Sequence, residues 1–224
     1  MLKAGPRGVR RRAAPANVPT LMRGVLYTIG HSTRAIREFV EVLRAHGVEQ
    51  VVDVRTIPRS RHNPQFDRLA LSRSLHAARI AYRHLKALGG LRHARPDSIN
   101  RGWRNASFRG FADYMQSDDF AAGLARLEQL ATRRPTAIMC AEALPWRCHR
   151  SLIADALTVG HWRVLHIQTR PPARPHRRTP FLKVCSGRLL YPAPTEQPER
   201  AQRGQTCGST GLARIRPSPS WDSP

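Results

Sequence analysis

Carboxylates are scarce in this chain. Its 15 aspartates and glutamates stand against 38 lysines and arginines, for a formal net charge of +23 and a pI near 11.7. Lysine is almost absent as well, so nearly all of the positive charge is arginine. Cysteine is limited to Cys140, Cys148, Cys185 and Cys207, too few and too irregularly spaced for a disulfide framework. No apolar run approaches the length of a membrane span. No secretory-type apolar segment follows the basic first residues. The expected setting is therefore reducing and cytoplasmic, with thiols free for chemistry. No internal repeat is present, and 224 residues suffice for one substantial core but not for two large domains.

The charge is uneven. Residues 1–23 are dominated by Pro, Gly and Arg, and residues 193–224 by Pro, Ser, Gly and Arg, with few apolar anchors. Both are expected to be disordered basic tails flanking a single α/β domain over 24–192. Such tails add salt-sensitive attraction to nucleic acid. An Arg-rich composition without a binding role accounts for them equally well.

Between the tails, short apolar runs alternate with amphipathic segments. Val25 to Ile29, Gln50 to Val54, Ile80 to Leu85, Pro135 to Met139 and Trp162 to Ile167 read as strands. Ile36 to Ala45, closed by Gly47, reads as a helix, as do Leu69 to Ala78, Phe120 to Ala131 and Ser151 to Thr158, with a shorter one near Phe111 to Met115. This alternation predicts an α/β fold: a mostly parallel sheet with helices on both faces. A small C-terminal β-hairpin is expected around Ser186-Gly187. The Gly- and Arg-rich connection over 86–106 is longer than a compact domain needs, which suggests a functional loop.

Ligands of open α/β sheets bind beyond the carboxyl ends of the strands. Here those ends carry Gly30, His31 and Ser32; Asp53 and Arg55 with Arg59 and Ser60; His84 with Gly89 and Gly90; Cys140 and Glu142; and His166. The densest stretch is Cys140 to Arg150, where two thiols, Glu142, Arg147, His149 and Arg150 fall between a strand and a helix. Cys148 has the best electrostatic case for activation, being flanked by Arg147, His149 and Arg150 at the expected start of a helix. Cys140, ending a strand, is expected to be more buried and harder to ionise. Glu142 suits a general base, or an orienter of His149 or His31. The arginines, with the Gly30-Ser32 turn, Asp53, Arg59, Ser60, His84, Gly89 and Gly90, would hold an anion such as the phosphate of a nucleotide or nucleic acid. Each has a plainer reading: an ordinary turn at Gly30, a structural Asp53–Arg55 pair, a satisfied strand histidine at His84. Arg92, Arg95, Arg101, Arg104 and Arg109, interleaved with Trp103, Phe108 and Phe111, are either a solvated loop or a surface that grips phosphates and stacks on bases.

Three functions remain open. One is a cysteine-dependent enzyme, a transferase or hydrolase without a cofactor. The second is a zinc site built from Cys140, Cys148 and His149, although the spacing is not that of a zinc finger. The third is a non-catalytic nucleic-acid binder.

The motifs Tyr27-Thr28-Ile29-Gly30-His31-Ser32, Asp53-Val54-Arg55, Pro58-Arg59-Ser60-Arg61-His62, Leu88-Gly89-Gly90 and Cys140-x-Glu142-x5-Cys148-His149-Arg150 resemble the signature set of the domain of unknown function 488 family. The resemblance runs from about Gly24 to His166, and it implies a compact α/β domain without implying a reaction. A looser similarity is to rhodanese and cysteine-phosphatase architecture. Six residues separate Cys140 from Arg147 where the phosphatase loop has five, and its glycines are missing, which argues against a shared anion loop.

Overall fold

A computed structural model describes residues 22–194. The expected disordered segments at 1–23 and 193–224 lie outside the described residues, save for two residues of each. Five parallel strands form the framework: β1 (Gly24–Gly30), β2 (Gln50–Asp53), β3 (Ala81–His84), β4 (Thr136–Cys140) and β5 (Trp162–Ile167). They lie in the order β3-β2-β4-β1-β5, and a two-residue strand, β6 (Arg174–Pro175), adds antiparallel to β5 at the edge. The α/β expectation is met, with β6 as an element the sequence pattern did not signal. Two residues are too few to carry a periodicity.

Both faces of the sheet are covered, and alternation along the strands assigns each side chain to a face. Val51, Ala137 and Met139 pack with Phe39, Val42 and Leu43 of α1 (Ile36–Ala45) and with Leu71 and Leu75 of α2 (Arg68–Ala77). Val52 and Ile138 face the other way, onto Phe111 of α3 (Ala106–Tyr114), Leu127 of α4 (Asp118–Ala131) and Leu152 and Ile153 of α5 (Arg150–Val159). The helix ends have identifiable causes. In α1 the spacing of Phe39, Val42 and Leu43 makes one apolar stripe, and Gly47, at φ 65°, closes the helix. Its N–H donates to Arg44 O at 2.9 Å and that of Val48 to Leu43 O at 3.0 Å, which satisfies carbonyls the helix leaves open. In α4 the Ser117 side chain accepts from Phe120 N, and Asp118 and Asp119 sit in the first turn, where negative charge is favoured.

Because β4 lies between β1 and β2, the connection leaving β1 runs towards one edge and the connection leaving β4 towards the other. Their loops part at the carboxyl ends of β1 and β4, which opens a crevice there. The C-terminal hairpin, β7 (Lys183–Cys185) and β8 (Arg188–Leu190), turns through Ser186 and Gly187 at φ 48° and 77°, the positive-φ pair of a tight hairpin. Among the described residues, no helix is long and apolar enough to cross a membrane.

Candidate active site

The crevice is shaped by the loop after β4 folding back over the end of β1. His31 N donates to Cys140 O at 3.0 Å and Ser32 N to Ala141 O at 2.9 Å, carrying the pairing past both strands. Only a glycine at position 30 permits this, since a Cβ there would lie 2.0 Å from Glu142 O. The loop then enters a short 3₁₀ turn, Pro145–Arg147, and reaches Cys148 two residues ahead of α5. The sequence reading put Cys148 inside the first helical turn. Pro145 starts a separate turn instead, so the thiol lies ahead of the helix and its neighbours are side chains.

Three groups converge on Cys148 Sγ. Arg150 Nε donates to it at 3.4 Å, His149 Nδ1 lies 3.6 Å away, and the Cys140 thiol is the third. His149 Nε2 donates to Val54 O at 3.2 Å, which leaves Nδ1 as the nitrogen that meets both sulfurs. Gly90 makes room for this ring, since a Cβ there would come within 2.4 Å of Nδ1. The hydrogen bond from Cys140, with those of His149 and the Arg150 charge, draws the Cys148 thiol well below the ordinary range against the opposing effect of burial. Cys140, which donates to that sulfur, is pushed well above it by that bond and by desolvation, although the residue is half-buried and Cys148 is the more buried of the two, the reverse of the expectation from sequence. The two shifts run in opposite directions, and of the two sulfurs Cys148 is the one whose ionised form the site favours.

Arg150 adds to the lowering at Cys148. It is 1% exposed, yet among the described residues no carboxylate pairs with it. Its Nη2 donates to the carbonyls of Glu142 and Ala143 and its Nη1 to Thr28 Oγ1, all neutral acceptors. A buried cation without a counter-charge is strongly unfavourable. The Cys148 sulfur is the group in contact with it that can supply that charge.

The opposite wall is a second buried pair. Asp53, fully buried, takes Arg55 Nε at 2.9 Å and Nη2 at 2.7 Å, and also accepts from Tyr82 Oη at 2.8 Å. Arg55 Nη2 donates in addition to Phe66 O, and Nη1 lies 3.3 Å from His31 Nε2. Of its five N–H groups the second on Nη1 has no partner among these bonds, and Arg55 lines the cavity. His31 Nδ1 donates to Ser32 O at 2.8 Å, and its ring stacks on Phe66. Burial, reinforced by the Arg55 charge, lowers His31 to about 4, so it is neutral at physiological pH and serves to seat Arg55.

These walls enclose an open cavity of about 610 Å³. Of the residues singled out from sequence, it brings together His31, Ser32, Arg55, Arg59, Ser60, Gly90, Cys140, Glu142, Arg147, Cys148 and His149. The others stand behind it as supports. Gly30 underlies the Glu142 carbonyl, Asp53 holds Arg55, and Arg150 holds Cys148. His84 Nε2 donates to Arg55 O at 2.8 Å, and a Cβ on Gly89 would meet Thr56 Oγ1 at 2.5 Å. His166 does not reach this cavity. In the long connection, Phe111 is core, Arg92 sits over the Tyr114 ring and Arg95 pairs with Asp97. Leu91, Ser107 and Phe108 contribute to the cavity wall.

The sequence reading missed a buried polar chain behind Arg150. Thr28 Oγ1 meets His166 Nδ1 at 2.7 Å, His166 Nε2 meets His176 Nδ1 at 3.0 Å, and His176 Nε2 reaches Asp155 Oδ1 at 2.9 Å. Asp155 also accepts from Thr179 N, Thr179 Oγ1 and Tyr191 Oη, which ties the C-terminal segment to α5. One signal was visible: an aspartate in the apolar run Leu152-Ile153-Ala154-Asp155-Ala156-Leu157.

Burial, with the nearby His176 and Arg150 charges, also lowers His166, to about 3. Both imidazoles therefore bind a proton more readily in the unfolded chain, where the pKa is near 6.5. Stability is full above that value and declines as pH falls from it towards 4 and 3. The urea midpoint is expected to drop between about pH 7 and pH 5, and the two ring proton signals to stay constant over that interval. Signals that titrate near 6.5 would contradict this burial.

A family model described as "Domain of unknown function DUF488" matches residues 35–157, more than half of the chain. No curated protein and no solved structure matches it.

Proposed function

Since the chain belongs to the domain of unknown function DUF488 family, whose description assigns no reaction, we propose its activity from the site: a cysteine-dependent enzyme acting on a phosphate-bearing substrate of nucleotide or nucleic-acid type. The observation that carries the reading is the Arg150–Cys148 contact, a buried cation whose available counter-charge is a thiolate at the floor of an open cavity. A stabilised thiolate is the reactive form of cysteine. The cavity offers Arg55, Arg59 and Arg147 against the single carboxylate of Glu142, which favours an anionic substrate.

In this reaction the Cys148 sulfur attacks phosphorus, an S–P bond forms, and the P–O bond to the leaving group breaks. The leaving oxygen, on the face of phosphorus opposite the sulfur, takes a proton from solvent. Water then attacks the phosphoryl group, Glu142 accepts its proton and returns it to solvent, and Cys148 departs as the thiolate beside His149 and Arg150. Side chains and water suffice for every step. Both thiols must stay reduced, which suits a cytoplasmic setting.

The test uses p-nitrophenyl phosphate and bis(p-nitrophenyl) phosphate. Cys148-dependent release of p-nitrophenolate, lost in Cys148→Ser, is expected, together with a phosphoryl adduct on the intact protein. Release that persists in Cys148→Ser, or neither release nor adduct, would contradict the proposal.

One observation favours a second reading, a zinc centre. The sulfurs of Cys140 and Cys148 and the His149 nitrogen lie within 4.8 Å of one another. The other His149 nitrogen donates to a carbonyl, the usual arrangement for a metal-binding imidazole. Protein purified without added metal that holds one zinc per chain, lost in Cys140→Ser, would replace the thiolate nucleophile by this reading.

A further inference from the structure

A second cavity, of about 740 Å³, opens on the other side of the Pro145–Arg147 turn. Trp146 supplies an exposed indole, the partly buried rings of Trp103 and Phe181 line the wall, and Arg174 and Arg177 supply exposed positive charge. Among the described residues, no carboxylate lines it. Asp155, the acid behind His176, is fully buried and already accepts from four donors.

The exposed side chain of Trp146 points to a ligand with an aromatic plane. Trp146 is 59% exposed, a large indole presented to solvent on a three-residue turn. The turn also links the two cavities. Trp146 lines the second and Arg147, the next residue, lines the cysteine cavity. A ligand crossing the turn would meet an aromatic face on one side and a cation beside the thiolate on the other.

We propose that the second cavity seats a base of a single-stranded nucleic acid whose neighbouring phosphate enters the cysteine cavity. The substrate class is thus a strand rather than a free nucleotide. This rests on the reading of the cysteine cavity as a phosphate site. Stacking on indole and phenyl faces is open to any base, so little sequence preference follows, and a paired duplex, whose bases are already stacked, is excluded.

The test is fluorescence anisotropy of labelled oligothymidylate and of an abasic strand of equal length, with the full chain at fixed salt. The basic ends of the chain attract both strands alike, so a difference between strands reports the bases. The wild type is expected to prefer oligothymidylate. Trp146→Ala is expected to weaken that binding between about 5-fold and 150-fold and to remove the preference. The thiolate titration of Cys148 should stay unchanged. Equal binding of the two strands by the wild type, or a preference retained by Trp146→Ala, overturns the proposal. Failure of the phosphate reading is seen separately, in the p-nitrophenyl ester assay, which requires no base in the second cavity.

Discussion

Replacing Arg150 by methionine is expected to raise the titration midpoint of Cys148 by at least about one pH unit, or about 1.4 kcal/mol. The side chain is buried and touches the sulfur through Nε, so its charge acts where solvent cannot screen it. The midpoint is the quantity to read, not the alkylation rate at one pH. A thiol with a higher pKa is less ionised but more nucleophilic once ionised, and the two effects partly cancel in the rate. Methionine fills most of the volume but leaves the carbonyls of Glu142 and Ala143 without their donor. Stability should therefore fall by about 3 kcal/mol. Arg150→Lys keeps the charge and serves where the methionine variant folds poorly, and its midpoint should stay near that of the wild type. A folded Arg150→Met protein with an unshifted midpoint would mean that the guanidinium does not ionise Cys148.

Asp53→Ala should be the most destabilising single change at the site, by about 3–5 kcal/mol. It leaves Arg55 buried with a full charge and no counter-ion, and it takes the acceptor from Tyr82 Oη. The loss comes mainly from the stranded cation, so removing that cation should return much of it. In urea denaturation, Asp53→Ala/Arg55→Met is accordingly expected to be more stable than Asp53→Ala alone, while losing affinity for anions in the cysteine cavity. A single-variant loss under about 1 kcal/mol would show that the pair behaves as a screened surface contact.

Much of this architecture was legible in the chain. Alternation of apolar runs and helical spacings located the five parallel strands and the helices, because burial on both sheet faces leaves a strong pattern in residues such as Val51, Val52, Ala137 and Ile138. Strand ends then pointed to the rim, and His31, Arg55, Glu142 and Cys148 do line one cavity. Roles were less legible than places. Arg147 and Arg150 look alike in sequence, yet one is exposed at the cavity and the other is sealed beneath it. The difference is made by the Pro145–Arg147 turn. From sequence, Gly30 and Gly90 belong to the anion-holding set, whereas each is needed for close approach, one to a carbonyl and one to the His149 ring. The Thr28–His166–His176–Asp155 chain joins residues far apart in sequence, and no local spacing announces it. The second cavity depends on the 174–181 segment folding back beside α5, which hydrogen bonds to Asp155 enforce.

The proposed activity requires a stable thiolate at Cys148, and the ultraviolet absorbance of that thiolate against pH tests it most directly. Free cysteine titrates near about 8.5. The wild type should show one thiolate per chain that titrates well below this value and is lost in Cys148→Ser. In Cys140→Ala, which removes the donating thiol, the low midpoint should move up. A wild-type protein without a thiolate below about pH 8, or with a low-titrating thiolate that survives in Cys148→Ser, would contradict the assignment of Cys148 as the ionised sulfur.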